Sequence, residues 1–134
     1  MLDAHRMKTT GVGLGLLILL GLSTGCQGLA QAEPLPDPLA AGWQGEPVCT
    51  RLHEDDTQRI LRCHFEPGIG HERHFHAPHF GYALSGGRVS MTDESGTRVR
   101  ELETGSFYTS DGVAWHEIKN VGDTPITYLI IEPK

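Results

Sequence analysis

Eight histidines occur in this 134-residue chain, and four of them fall within ten residues: His71-Glu72-Arg73-His74-Phe75-His76-Ala77-Pro78-His79-Phe80. Neutral imidazole is a ligand for zinc, copper, iron and nickel, so spacing decides whether this stretch is a site or a polar loop. His74 and His76 are two residues apart. On an extended strand that spacing puts both rings on one face, with roughly 6–7 Å between Cα atoms, near enough to share an ion. Pro67-Gly68-Ile69-Gly70 leads into the pair and Pro78 follows it. A further histidine, His116, stands far downstream between Trp115 and Glu117. Two ligands on one strand and a third on another is how a small barrel can surround a metal.

The elements that must carry these residues are strands. Segments 48–53, 59–65, 80–84, 88–92, 97–102, 106–110, 114–121 and 126–132 each read as short strands. Between them stand Pro67-Gly68, Ser85-Gly86-Gly87, Glu94-Ser95-Gly96, Thr104-Gly105, Asp111-Gly112 and Gly122-Asp123, all turn-forming. Val89 and Met91 alternate with Arg88 and Ser90, and no window carries an apolar 3.6-residue period over three turns. Regularly spaced short strands predict an all-β sandwich or small barrel. The last of them, apolar on both faces, is expected at the centre of a sheet. Tyr82, Phe107, Tyr108 and Trp115 are expected in the core, His71 as a solvated flank of the histidine pair, and His53 and His64 at the surface.

The histidine spacing resembles the cupin superfamily, whose members are small jelly-roll β-barrels. Its first motif reads G-x5-H-x-H-x(3,4)-E-x6-G, and Gly68, His74, His76 and Gly86 hold the matching positions. Its second reads G-x5-P-x-G-x2-H-x3-N, matched by Gly105, His116 and Asn120, with Asp111 and Val113 in place of the Pro and the second Gly. The resemblance covers about residues 60–132. It implies a single-domain cupin-type jelly roll holding one divalent transition metal ion (iron, copper, zinc, nickel or manganese) on His74, His76 and His116. Where the family has its glutamate ligand this chain has His79, one residue closer to the pair than the motif expects. His79 is the expected fourth ligand if the bend at Pro78 turns it inward. Glu72, which shares the parity of His74, is the reserve. Cupins as a family include dioxygenases, isomerases and decarboxylases, and also non-catalytic binding and sensing proteins. The implied function is therefore a metal-dependent oxygenase or isomerase for a small chelating anion. The alternative is a non-catalytic module that binds a small molecule. Dimers are common in the family, so a homodimer falls within what the resemblance implies.

The ends of the chain point outside the cytoplasm. A basic start, an uncharged apolar run over residues 11–22 and a small-residue exit describe a secretory signal peptide over residues 1–32. Ala30-Gln31-Ala32 fits ordinary cleavage before Glu33. Ser23-Thr24-Gly25-Cys26 resembles a lipobox, which would anchor the protein to a membrane through Cys26. Residues 33–46, rich in Pro and Gly, read as an extended linker, leaving 47–134 as the domain. Cys49 and Cys63 remain as an even pair, expected as a cross-strand disulfide of a hairpin turning at Asp56. A formal charge of −6 with scattered Lys and Arg argues against nucleic acid. The expected partner is a small-molecule ligand or substrate, in the periplasm or secreted.

Overall fold

A computed structural model describes residues 33–134; the expected signal peptide and both of its exits lie outside the described residues. Eleven β-strands are present among them and no helix: β1 (Gly42–Trp43), β2 (Glu46–Pro47), β3 (Cys49–Glu54), β4 (Gln58–Phe65), β5 (Gly70–His76), β6 (His79–Ser85), β7 (Gly87–Asp93), β8 (Gly96–Leu102), β9 (Phe107–Ser110), β10 (Val113–Asn120) and β11 (Ile126–Pro133). Apart from the β1–β2 hairpin they form two antiparallel sheets, ordered β5-β10-β7-β8 and β3-β4-β11-β6-β9. This is an all-β jelly roll.

Alternation builds the core. On β11 the side chains of Ile126, Tyr128, Ile130 and Glu132 are buried, and on β4 those of Leu61, Cys63 and Phe65. These rows face each other in register, Ile126 opposite Phe65, Tyr128 opposite Cys63 and Ile130 opposite Leu61. Val89 and Ile118 of the other sheet close the cluster. Each such apolar side chain contributes on the order of 1.5–3 kcal/mol by leaving water. As expected from its two apolar faces, β11 is the middle strand of its sheet.

Cys49 and Cys63 are direct cross-strand partners on β3 and β4, joined by a disulfide. The hairpin turns on Asp55, whose Oδ1 accepts from the Thr57 and Gln58 backbone N–H groups. Two glycines of the motifs, Gly68 and Gly105, have φ of +82°, where a side chain would be strained. Gly86 is needed for another reason: a Cβ there would meet the Leu102 carbonyl.

Residues 33–46 are not a tether. Pro38 is fully buried, β1 and β2 form a hairpin, and the Pro36 carbonyl accepts from Phe75 N–H at 3.1 Å. Asp37 folds the segment locally: its Oδ1 accepts from Leu39 and Ala40 N–H, and its Oδ2 binds Arg59 Nη1 at 2.6 Å. The segment is a strap laid along β5. Proline content signalled an irregular backbone correctly, but the partners that pack it lie far along the chain.

Candidate metal centre

The histidines are placed by β5 and β10, which pair antiparallel with His116 opposite His74. The pairing is interrupted twice. Between His71 and His74 β5 has one residue more than β10, and between Val113 and His116 the excess is on β10. Bulges of this kind turn side chains out of simple alternation. They send Arg73 and Trp115 to the outer surface, where the guanidinium lies 3.5 Å from the indole centroid. They send His71 inward instead.

His74, His76 and His116 come together as expected, all buried, with ring centroids 4.6 to 4.9 Å apart. His74 Nε2 lies 3.0 Å from His76 Nε2 and 3.0 Å from His116 Nε2. His74 Nδ1 donates to the Glu72 carbonyl at 2.6 Å, which parks its proton there and leaves Nε2 as a lone pair. One lone pair cannot accept well from two neighbours at once. A cation drawn to all three nitrogens satisfies them together. Two donors bonded at about 2.1 Å and at right angles stand about 3.0 Å apart, so the spacing also fits a shared ion.

The electrostatics keep the His74 and His116 rings in their ligating form. Burial, reinforced by the neighbouring imidazoles, pushes His74 down to about 2 and His116 to about 3. Metal ligation needs neutral imidazole, so little free energy is spent on removing protons at neutral pH.

His79 flanks this trio. It is buried, its ring centroid is 4.5 Å from that of His76, and burial lowers its pKa. Its Nδ1 donates to the Ala77 carbonyl, leaving Nε2 free. Glu72, the reserve ligand, is exposed, and its carboxylate accepts from Gln44 N–H at 2.9 Å. The β5 bulge breaks the parity that would have aligned it with His74.

His71 corrects the sequence reading most sharply. It is fully buried, its ring stacked on His74 at 3.8 Å, its Nδ1 3.9 Å from Cys49 Sγ. Burial lowers its pKa to about 4. His71, Cys49 and Cys63 also cluster closely enough to hold an ion, but the sulfurs are joined to each other and are not thiolate donors. A second residue escaped the sequence reading altogether: Glu132, buried on β11, places Oε1 3.8 Å from His76 Nδ1. Burial pushes its carboxyl up, but His76 and the Arg59 guanidinium outweigh that and hold it below the usual range. Only its alternation with Ile130 and Tyr128 marked it as inward.

A cavity of about 430 Å³ opens on His76, His79 and His116. Its wall is largely apolar, with Val89, Met91, Val113 and Ile118, and Arg98 and Arg100 of β8 line one side. Asp93 holds Arg98 at 2.6 Å. The aromatic residues expected in the core are not there. Phe107, Tyr82 and Tyr108 are all more than a third exposed, Phe80 and Phe107 stack at 5.7 Å, and Tyr108 meets His79 edge-on at 5.6 Å on the cavity wall.

Several solved structures share the architecture. A cupin domain from Bordetella pertussis Tohama I is 22% identical, the match covering 65% of this chain and 92% of that one, with a TM-score of 0.62. The polyketide cyclase RemF from Streptomyces resistomycificus is 18% identical over 71% and 73%, with a TM-score of 0.54. A predicted oxalate decarboxylase from Thermotoga maritima is 19% identical over 64% and 79%, with a TM-score of 0.50. At these identities the likeness is one of fold. No curated protein matches the chain. The sequence profile described as "Cupin domain" matches residues 61–132. That match spans more than half the chain and contains all five buried histidines, so the protein belongs to the cupin family.

Proposed function

We propose that the protein is an exported, metal-dependent cupin enzyme, an oxygenase or isomerase acting on a small chelating anion. The observation that carries this reading is the convergence of the His74, His76 and His116 Nε2 atoms beside an apolar-walled cavity that His76 and His116 line. His74, His76 and His116 would hold the ion, with His79 the nearest further nitrogen donor. A divalent ion held by neutral imidazoles alone keeps its full charge and supplies Lewis acidity toward an enolate, carboxylate or thiolate. The apolar wall excludes water, which strengthens attraction between charges inside. Arg100, beside Arg98 on the cavity face of β8, offers a guanidinium to a second anionic group. The Cys49–Cys63 disulfide supports the export reading, because such bonds persist in oxidising compartments.

Elemental analysis of protein purified from the periplasm, followed by oxygen consumption with a panel of dicarbonyl, enol and thiol substrates, tests the proposal. One divalent ion per chain and turnover with one class support it. A second reading, a non-catalytic binding module, is favoured by the largely apolar wall of the cavity, suited to holding a small molecule. Tight ligand binding at the cavity without turnover across the panel would select it. Protein recovered from the cytoplasm with residues 1–32 intact would remove the export claim.

A further inference from the structure

Behind His76 lies a chain of charges that the histidines themselves do not require. Arg59 donates from Nε and Nη2 to Glu132 Oε2, both at 2.6 Å, and from Nη1 to Asp37 Oδ2 at 2.6 Å. The other Glu132 oxygen, Oε1, faces His76 Nδ1 at 3.8 Å. Both of these atoms are buried, and neither has a hydrogen-bond partner. An unpaired buried polar atom costs about 1–3 kcal/mol. Two complementary ones facing each other are a small ring rotation from satisfying both.

The direction of that bond follows from the trio. If His76 Nε2 is to offer its lone pair beside His74, the proton of the ring belongs on Nδ1, where the carboxylate accepts it. A ligand histidine whose other nitrogen is tied to a carboxylate is held in tautomer and orientation and becomes a stronger donor.

We propose that Glu132 is the positioning residue of the metal centre, accepting from His76 Nδ1–H, and that the N-terminal strap fixes Glu132 through Asp37 and Arg59. The proposal rests on the metal reading of the three histidines. Glu132 alone would be a buried anion, which is costly without a paired cation. Arg59 balances it with two donors on one oxygen, which leaves Oε1 free to face the ring. Asp37 takes the remaining edge of the guanidinium and also caps the turn of the strap with its other oxygen. Asp37 and Arg59 both precede residues 61–132, so the outer layer of the centre is completed by chain beyond the span that matches the family.

The test uses the full mature chain, its Zn(II) affinity measured against a chromophoric chelator and the visible spectrum of its Co(II) form. Wild type binds one ion, and His76→Ala removes it. Glu132→Gln should bind Zn(II) roughly 10- to 100-fold more weakly with an altered Co(II) spectrum. Asp37→Asn should shift both in the same direction by less. Unchanged affinity and spectrum in Glu132→Gln would overturn the role of Glu132. A shift in Glu132→Gln with none in Asp37→Asn would overturn the role of the strap. If Glu132→Gln does not fold, Asp37→Asn and Arg59→Lys decide, and a wild-type Co(II) spectrum in both overturns the proposal. A wild type that binds neither ion overturns the metal reading itself, a distinct result.

Discussion

Histidine pairs at i and i+2 are common on solvated strands; His74 and His76 differ in where their second nitrogens point. With one nitrogen of His74 committed to a backbone carbonyl, the other is left to a crowded meeting of lone pairs. His76→Ala and His116→Ala should therefore abolish binding of a divalent ion, seen as loss of metal after dialysis. His79→Ala should weaken binding and His79→Glu largely preserve it. Glu72→Ala should bind as wild type, because Glu72 faces outward. A loss in Glu72→Ala alone would return it to the ligand set. Burial of the same rings dictates how the metal-free protein responds to acid. His71, His116 and His74, lowered to about 4, 3 and 2, stay neutral in the fold, while in the unfolded chain they take protons below about 6.5. The unfolded state then binds more protons, so stability falls as pH drops below about 6.5. Each group contributes up to about 1.4 kcal/mol per pH unit. The slope weakens below about pH 4 as His71 protonates in the fold. Asp37 and Glu132, both held low, add their loss below the ordinary carboxylate range, in the same direction. Urea unfolding in chelator at pH 7.5 and 5 checks this; equal stability at both would contradict it.

At the scale of elements, alternation and turn residues were enough to read eight of the eleven described strands. β1 fell in the expected linker and β2 at its end, and β5 was not among the segments read although the His74–His76 spacing assumed an extended backbone. Val89 and Met91, the β7–β8 hairpin and the central place of β11 all follow from period and punctuation. The hairpin of β3 and β4 was legible as well, since two cysteines about a polar centre suggested the cross-strand bond that joins them. Reducing it should cost about 3 kcal/mol for a separation of 14 residues, measured as a lower denaturant midpoint with reductant; no shift would mean the bond contributes nothing. What parity could not supply were the bulges. A bulge arises where two strands are paired, and nothing within His71-Glu72-Arg73 announces that Arg73 will find Trp115 outside. Its effect was to exchange Glu72 for His71 on the inner face. Tyr82 and Phe107 misled for a related reason: aromatic residues suit both faces of a strand, and composition does not say which one is covered.

For the molecule as a whole, the part read least well was the N-terminal segment. Proline and glycine mark irregular backbone, yet a packed strap and a free tether share that composition. The difference lies in Arg59, Glu72 and Phe75, whose contacts with residues 36–44 no local pattern encodes. A chain starting at Val48 should accordingly lose both stability and metal affinity, although every candidate ligand remains. Thermal unfolding and metal competition against a chain starting at Glu33 would show it, and equal values would demote the strap to decoration.

The place of β5 gives the strap one more consequence. β5 is the last strand of its sheet, with β10 on one side only. The strand that carries His74 and His76 thus ends in a row of backbone groups able to template another chain, the usual starting point for edge-to-edge aggregation. The Pro36 carbonyl already occupies Phe75 N–H, and β1 packs against the same strand. Two prolines on either side of Asp37 cannot donate onward to a further strand. The strap therefore ends the sheet as well as bracing it, and a chain cut at Val48 should self-associate with rising concentration in light scattering while a chain starting at Glu33 does not.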